Sequence, residues 1–106
     1  MNAPFSLKTP ALEFLAVQAK KYPKIQRLIL FGSRGRGDDQ ERSDYDIAVD
    51  APEMSDVEWS QCASFFRENI PTLCGLDLVR IQPKMALELR RHIQEEGKVF
   101  YVRESK

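Results

Sequence analysis

An apolar run, Ile25-Gln26-Arg27-Leu28-Ile29-Leu30-Phe31, breaks off abruptly at Gly32-Ser33-Arg34-Gly35-Arg36-Gly37. β-Branched and aromatic residues bounded by Pro23 and Gly32 predict a central strand, buried on both faces near its end. Three glycines in the next six residues suit a tight turn and close backbone approach to another group. If a short helix begins at Ser33, its free N–H groups and dipole form an anion site. Gly32 would admit a phosphate to the backbone, the Ser33 hydroxyl would donate to it, and Arg36 would neutralise part of a polyphosphate charge.

The chain supplies carboxylates for a cation. Asp44-Tyr45-Asp46-Ile47-Ala48-Val49 alternates, so Asp44, Asp46 and Ala48 share one face of a strand and Tyr45, Ile47 and Val49 the other. Hard divalent ions such as Mg²⁺ take oxygen ligands, commonly one or two carboxylates plus substrate phosphates. Asp77 stands in a third strand, Leu76-Asp77-Leu78-Val79-Arg80-Ile81, where a buried, unpaired charge would be costly. If that strand neighbours the Asp44/Asp46 strand, three carboxylates can share two metal ions about 4 Å apart. Phosphoryl-type transfer uses that arrangement to activate an attacking hydroxyl and to steady a leaving pyrophosphate.

The remaining elements frame these residues. Thr9-Pro10 is a helix N-cap with proline at the first position, and Leu12, Leu15, Ala16 and Ala19 follow on one face up to Tyr22-Pro23. Ser55-Asp56-Val57-Glu58 is a capping box, with Trp59, Cys62, Ala63 and Phe66 on the apolar side of a helix over 55–69. Pro83 predicts the opening of a further helix with Met85, Leu89 and Ile93 inward and Gly97 at its C-cap, followed by a short strand from Val99. Residues 1–8 read as a flexible N-terminal arm, and 9–106 as a single domain. The order α-β-β-α-β-α-β suits an α+β fold, a small mixed β-sheet with helices packed against it.

Composition narrows the function. Sixteen Lys+Arg balance sixteen Asp+Glu, so no net basic field draws the chain to a phosphate backbone, which argues against direct nucleic-acid binding. No apolar stretch approaches the roughly 20 residues of a membrane span, and the first residues lack the pattern of a signal peptide. Cys62 and Cys74 lack ligand spacing and read as reduced thiols of a cytoplasmic protein. His92, beside Arg90 and Arg91, reads as a surface histidine.

Gly32-Ser33, ten residues, then Asp44-Tyr45-Asp46 resembles the signature of minimal nucleotidyltransferases of the DNA polymerase β-like superfamily. Phe31, Ser43, the lone late Asp77 and the closing Glu95-Glu96-Gly97-Lys98-Val99-Phe100-Tyr101 extend the resemblance. It implies the polymerase β-like nucleotidyltransferase fold. Asp44, Asp46 and Asp77 would be catalytic residues binding two Mg²⁺ ions, and Gly32, Ser33 and Arg36 would hold ATP. Gly35 stands where many members have alanine, which implies a looser turn. Small members are similar to the antitoxin half of a toxin–antitoxin module. They transfer AMP from ATP to a tyrosine of a HEPN-domain toxin. Three other readings stand beside this one. The chain could mask a partner without catalysis, act on a small molecule or tRNA with the acceptor site built between subunits of a homo-oligomer, or be a structural protein with no ligand.

Overall fold

The computed structural model describes residues 9–36 and 44–104, so the expected arm over 1–8 lies outside the described residues. Helix α1 spans Pro10–Ala19, and the Thr9 hydroxyl accepts from the Leu12 N–H at 3.2 Å. Strand β1 (Arg27–Phe31) passes directly into a five-residue helix α2 (Gly32–Arg36). Strand β2 (Tyr45–Asp50), helix α3 (Asp56–Asn69), strand β3 (Leu76–Arg80), helix α4 (Leu87–Glu96) and strand β4 (Lys98–Val102) complete the order. The capping box at Ser55 is formed in both directions: the Glu58 N–H donates to the Ser55 hydroxyl at 3.1 Å, and the Ser55 N–H to the Glu58 carboxylate at 2.8 Å.

The strands form one mixed sheet in the order β3-β2-β1-β4. β1 pairs antiparallel with β2 and β4, whereas β2 and β3 run parallel. A parallel pair needs a crossover, and α3 supplies it. Alternation then divides the side chains between two layers. Leu28, Leu30, Tyr45, Ile47, Val49 and Leu78 enter the main core together with α1 and α3 residues such as Leu12, Leu15, Cys62 and Phe66. Ile29, Phe31 and Ala48 face the other way and meet Ile93 of α4, with Val79, Met85 and Leu89 alongside. The sequence-level division of β2 therefore holds: Tyr45, Ile47 and Val49 lie inward, and Ala48 lies on the opposite face.

One boundary differs from expectation. Pro83 does not open α4, which begins at Leu87; residues 82–85 form a turn in which the Met85 N–H donates to the Gln82 carbonyl at 3.2 Å. No side chain caps the helix at Ala86, and the Arg90 guanidinium instead ties the turn down by donating to the Gln82 carbonyl at 2.7 Å. Proline at 83 allows a helix start without enforcing one.

The end of the chain is fastened to the end of α1. The Arg103 guanidinium donates to the carbonyls of Ala19 (3.1 Å), Tyr22 (2.9 Å) and Ile25 (2.9 Å). α1 has no basic residue in its last turn, and a side chain 84 positions away donates to the carbonyl of its last residue, Ala19.

Candidate active site

The candidate residues gather at the end of β1, the start of β2 and the start of β3. Phe31 is opposite Asp46 in the antiparallel pair, and Asp46 is opposite Asp77 in the parallel pair. Residues paired across strands point to the same side, so Asp46 and Asp77 project from the face that carries Ala48 and α4. Burial first, then Asp77 and Asp44, raise the Asp46 carboxyl above the usual aspartate range; Arg36 acts in the opposite direction, and Glu96 adds a smaller upward push. The carboxylates repel, which is the electrostatic condition that a divalent cation relieves.

Asp77 differs from its expectation in one respect. It is exposed, not buried among its apolar neighbours, because β3 is an edge strand. The burial cost invoked from sequence therefore does not arise. Arg80, three residues further along β3, pairs with Asp56 at 2.8 Å and donates to the Met54 carbonyl. Asp44 is also exposed. Its Oδ1 accepts from the Gly75 N–H at 3.1 Å, and the Tyr45 N–H donates to the Gly75 carbonyl at 2.8 Å. Asp44 thereby fixes the entry of β3 beside β2. Among the described residues no three His, Cys, Asp or Glu side chains stand together in a metal-holding cluster. The fit to a cation consequently rests on Asp46 and Asp77, with Asp44 held at their border by the β3 turn.

Gly32 has a backbone φ of +71°, where a side chain is strained. A Cβ there would also overlap the Asp46 carboxylate. Glycine thus turns the chain from β1 into α2 and leaves the space that Asp46 occupies. Ser33 is half-buried at the first turn of α2. Gly35 overturns the expectation of a looser turn. It is buried, and a Cβ added there would come within 2.7 Å of the Leu30 and Glu96 carbonyls, so α2 is seated tightly against β1 and α4. Arg34 lies with its guanidinium 4.0 Å from the Tyr45 ring centre, and its Nη2 is 3.9 Å from Cys74 Sγ.

Arg36 is exposed at the end of α2 and pairs with Glu96 at 3.3 Å. The other Glu96 oxygen lies 3.0 Å from His92 Nδ1. The hydrogen bond with His92, and then the charge of Arg36, hold the Glu96 carboxyl below the usual glutamate range. Sequence reasoning assigned no role to Glu96. The available signal was a carboxylate four residues after His92 at the end of a helix.

These features coincide with a family pattern. The family model described as "Polymerase beta, Nucleotidyltransferase" matches residues 14–106. The chain belongs to the polymerase β nucleotidyltransferase family. The sheet, its helices and the expected α+β class agree with that assignment, and the chain is a nucleotidyltransferase. Among solved structures, the nucleotidyltransferase domain is similar to a chain of a mutant toxin–antitoxin MntA–HpeT complex, at 22% identity over 92% of this chain and 76% of that one, with a TM-score of 0.65. It is also similar to a chain of a toxin–antitoxin structure with AMP-PNP, at 24% identity over 91% and 76%, TM-score 0.61. A putative nucleotidyltransferase from Sulfolobus solfataricus matches at 25% identity over 88% and 78%, TM-score 0.59. No curated protein matches the chain significantly. No helix among the described residues is long and apolar enough to cross a membrane.

Proposed function

We propose that this nucleotidyltransferase moves AMP from Mg²⁺-bound ATP to a tyrosine hydroxyl of a HEPN-domain toxin, acting as that toxin's antitoxin in the cytoplasm. The observation that carries the reading is the pairing of Asp46 with Asp77 beside the Gly32-Ser33 corner. Likeness to toxin–antitoxin chains, one with AMP-PNP, supports the choice of nucleotide and partner.

Asp46 and Asp77 would hold Mg²⁺, and Asp44 would complete the set from the border of β3. When bound, the ions supply positive charge that lowers the pKa of an attacking hydroxyl and stabilises a leaving pyrophosphate. The chain's own residues do the rest. The main-chain N–H groups and hydroxyl at Ser33 bind phosphate oxygens, and Gly32 leaves room for that approach. Arg36 offsets charge on the triphosphate. Asp77, exposed on an edge strand, accepts the proton of the acceptor hydroxyl. The hydroxyl oxygen then forms its bond to the α-phosphorus as the bond to the β-phosphate oxygen breaks and pyrophosphate leaves.

The test uses ATP labelled at the α-phosphate, Mg²⁺ and the product of the neighbouring gene. Label should pass to that protein with the wild-type chain and fall by at least about a hundredfold with Asp46→Asn or Asp77→Asn. A tight complex without label would replace catalysis by masking. Label on tRNA or a small molecule instead would keep the enzyme and change the acceptor.

A further inference from the structure

Glu96 ends α4 with a charge that its position disfavours. The last turn of a helix presents unpaired carbonyls and a partial negative charge, which favour Lys, Arg or protonated His and oppose a carboxylate. α4 carries no basic residue in that turn and closes on Glu95-Glu96. Of the two, Glu96 is the enclosed one: its side chain is 17% exposed, against 62% for Glu95. Both of its oxygens are engaged, one with His92 and the other with Arg36. Local rules broken at such a point signal a role outside local stability.

The main chain of Glu96 has a second relation to α2. Gly35 lies against the Glu96 carbonyl closely enough that a side chain would not fit. The helix that carries Ser33 and Arg36 is therefore located on Glu96 twice, through its backbone and through the ion pair. Arg36 ends the short helix that leaves β1 where Phe31 lies opposite Asp46, so the Arg36–Glu96 pair stands beside the site.

We infer that Glu96 is a positioning residue for nucleotide binding. Its carboxylate holds the Arg36 guanidinium ready for the β- and γ-phosphates, and His92 steadies the carboxylate from the other side. This rests on the proposed place of Arg36 at the triphosphate. A guanidinium has five N–H donors, so a bond to Glu96 is compatible with a simultaneous bond to phosphate. Arginine otherwise loses much rotamer freedom when it clamps a ligand; with Glu96 in place that loss occurs on folding instead.

The experiment measures equilibrium binding of Mg²⁺·AMP-PNP and of AMP to wild type, Arg36→Ala, Glu96→Gln, the double variant and His92→Ala. Arg36→Ala should weaken AMP-PNP about tenfold or more. Glu96→Gln should weaken AMP-PNP about threefold to tenfold and leave AMP within about twofold, and the double variant should be no weaker than Arg36→Ala alone. His92→Ala should show a smaller loss with the same selectivity, and it serves in place of Glu96→Gln if that chain does not fold. Equal weakening of AMP-PNP and AMP, additive losses in the double variant, or unchanged or tighter AMP-PNP binding with Glu96→Gln would each overturn the inference. If Arg36→Ala itself leaves AMP-PNP binding unchanged, the assignment of Arg36 fails and Glu96 with it. A loss with Arg36→Ala and none with Glu96→Gln removes Glu96 alone.

Discussion

The carboxylate of Asp46 occupies the space that a side chain on Gly32 would need. A strand end and a turn are thereby fitted to one another across the β1–β2 pair. Gly32→Ala meets two penalties, a left-handed backbone and an overlap with Asp46. The left-handed conformation alone costs about 1–2 kcal/mol for a non-glycine residue. We expect a lower melting temperature and, because Asp46 must move aside, loss of Mg²⁺·AMP-PNP binding in a titration of the folded variant. Wild-type affinity in Gly32→Ala would show that the overlap is relieved elsewhere.

Asp46 sets a dependence on pH with a definite sign. Its folded pKa is raised, by burial first and then by Asp77 and Asp44. The native state therefore holds this proton more tightly than the unfolded chain does. The associated stability is present below about pH 4, the unfolded value, and is lost as pH rises through the higher folded value. At neutral pH the ionised carboxylate is a liability, and Asp46→Asn should raise the melting temperature, by less than at a fully buried carboxylate because solvent screens a half-exposed group. The gain should shrink near pH 4. Mg²⁺ should raise the melting temperature of wild type and have little effect on Asp46→Asn, and a chelator should reverse it. Thermal scans at two pH values, with and without Mg²⁺, check all three.

Arg103 tests the fastening of the chain end. Arg103→Ala removes donors from the Ala19, Tyr22 and Ile25 carbonyls at once. Hydrogen bonds from a charged group contribute about 1.5–3 kcal/mol, so a fall of about 10 °C in melting temperature is expected for a domain of this size. Nucleotide affinity measured well below that temperature should be unchanged, because Arg103 lies away from the site.

The two thiols should separate chemically. Cys62 is fully buried, and burial pushes its thiol up to about 11. Cys74 is half-buried in the turn before β3. Thiolate is the reacting form, so a disulfide reagent at pH 8 should label Cys74 in the native protein and Cys62 only after unfolding. Rapid labelling of both would contradict the packing of α3.

Much of the frame was legible because its signals are local. Thr9 and Ser55 cap helices with side chains three residues from their targets, and the alternation Tyr45-Asp46-Ile47-Ala48-Val49 sorts itself between two faces without reference to other strands. The spacing from Gly32-Ser33 to Asp44 and Asp46 pointed to the family now shown for residues 14–106. What escaped depends on distant partners. Whether Asp77 is buried turns on β3 being at the sheet edge, which the strand's own composition does not reveal. Gly35 read as slack, since nothing nearby in sequence shows that the Glu96 carbonyl closes over it. The start of α4 was misplaced because the 82–85 turn is tied by Arg90, one turn into the helix.

Asp46 and Asp77 are 31 positions apart and meet only through the parallel register of β2 and β3. Parallel neighbours cannot pair until the intervening crossover is laid down. During synthesis, then, the growing polypeptide carries the glycine-serine corner and the first acids well before they can act together. The enzyme is switched on late, by completion of a strand, and fragments ending inside α3 should be inert however much of the signature they contain.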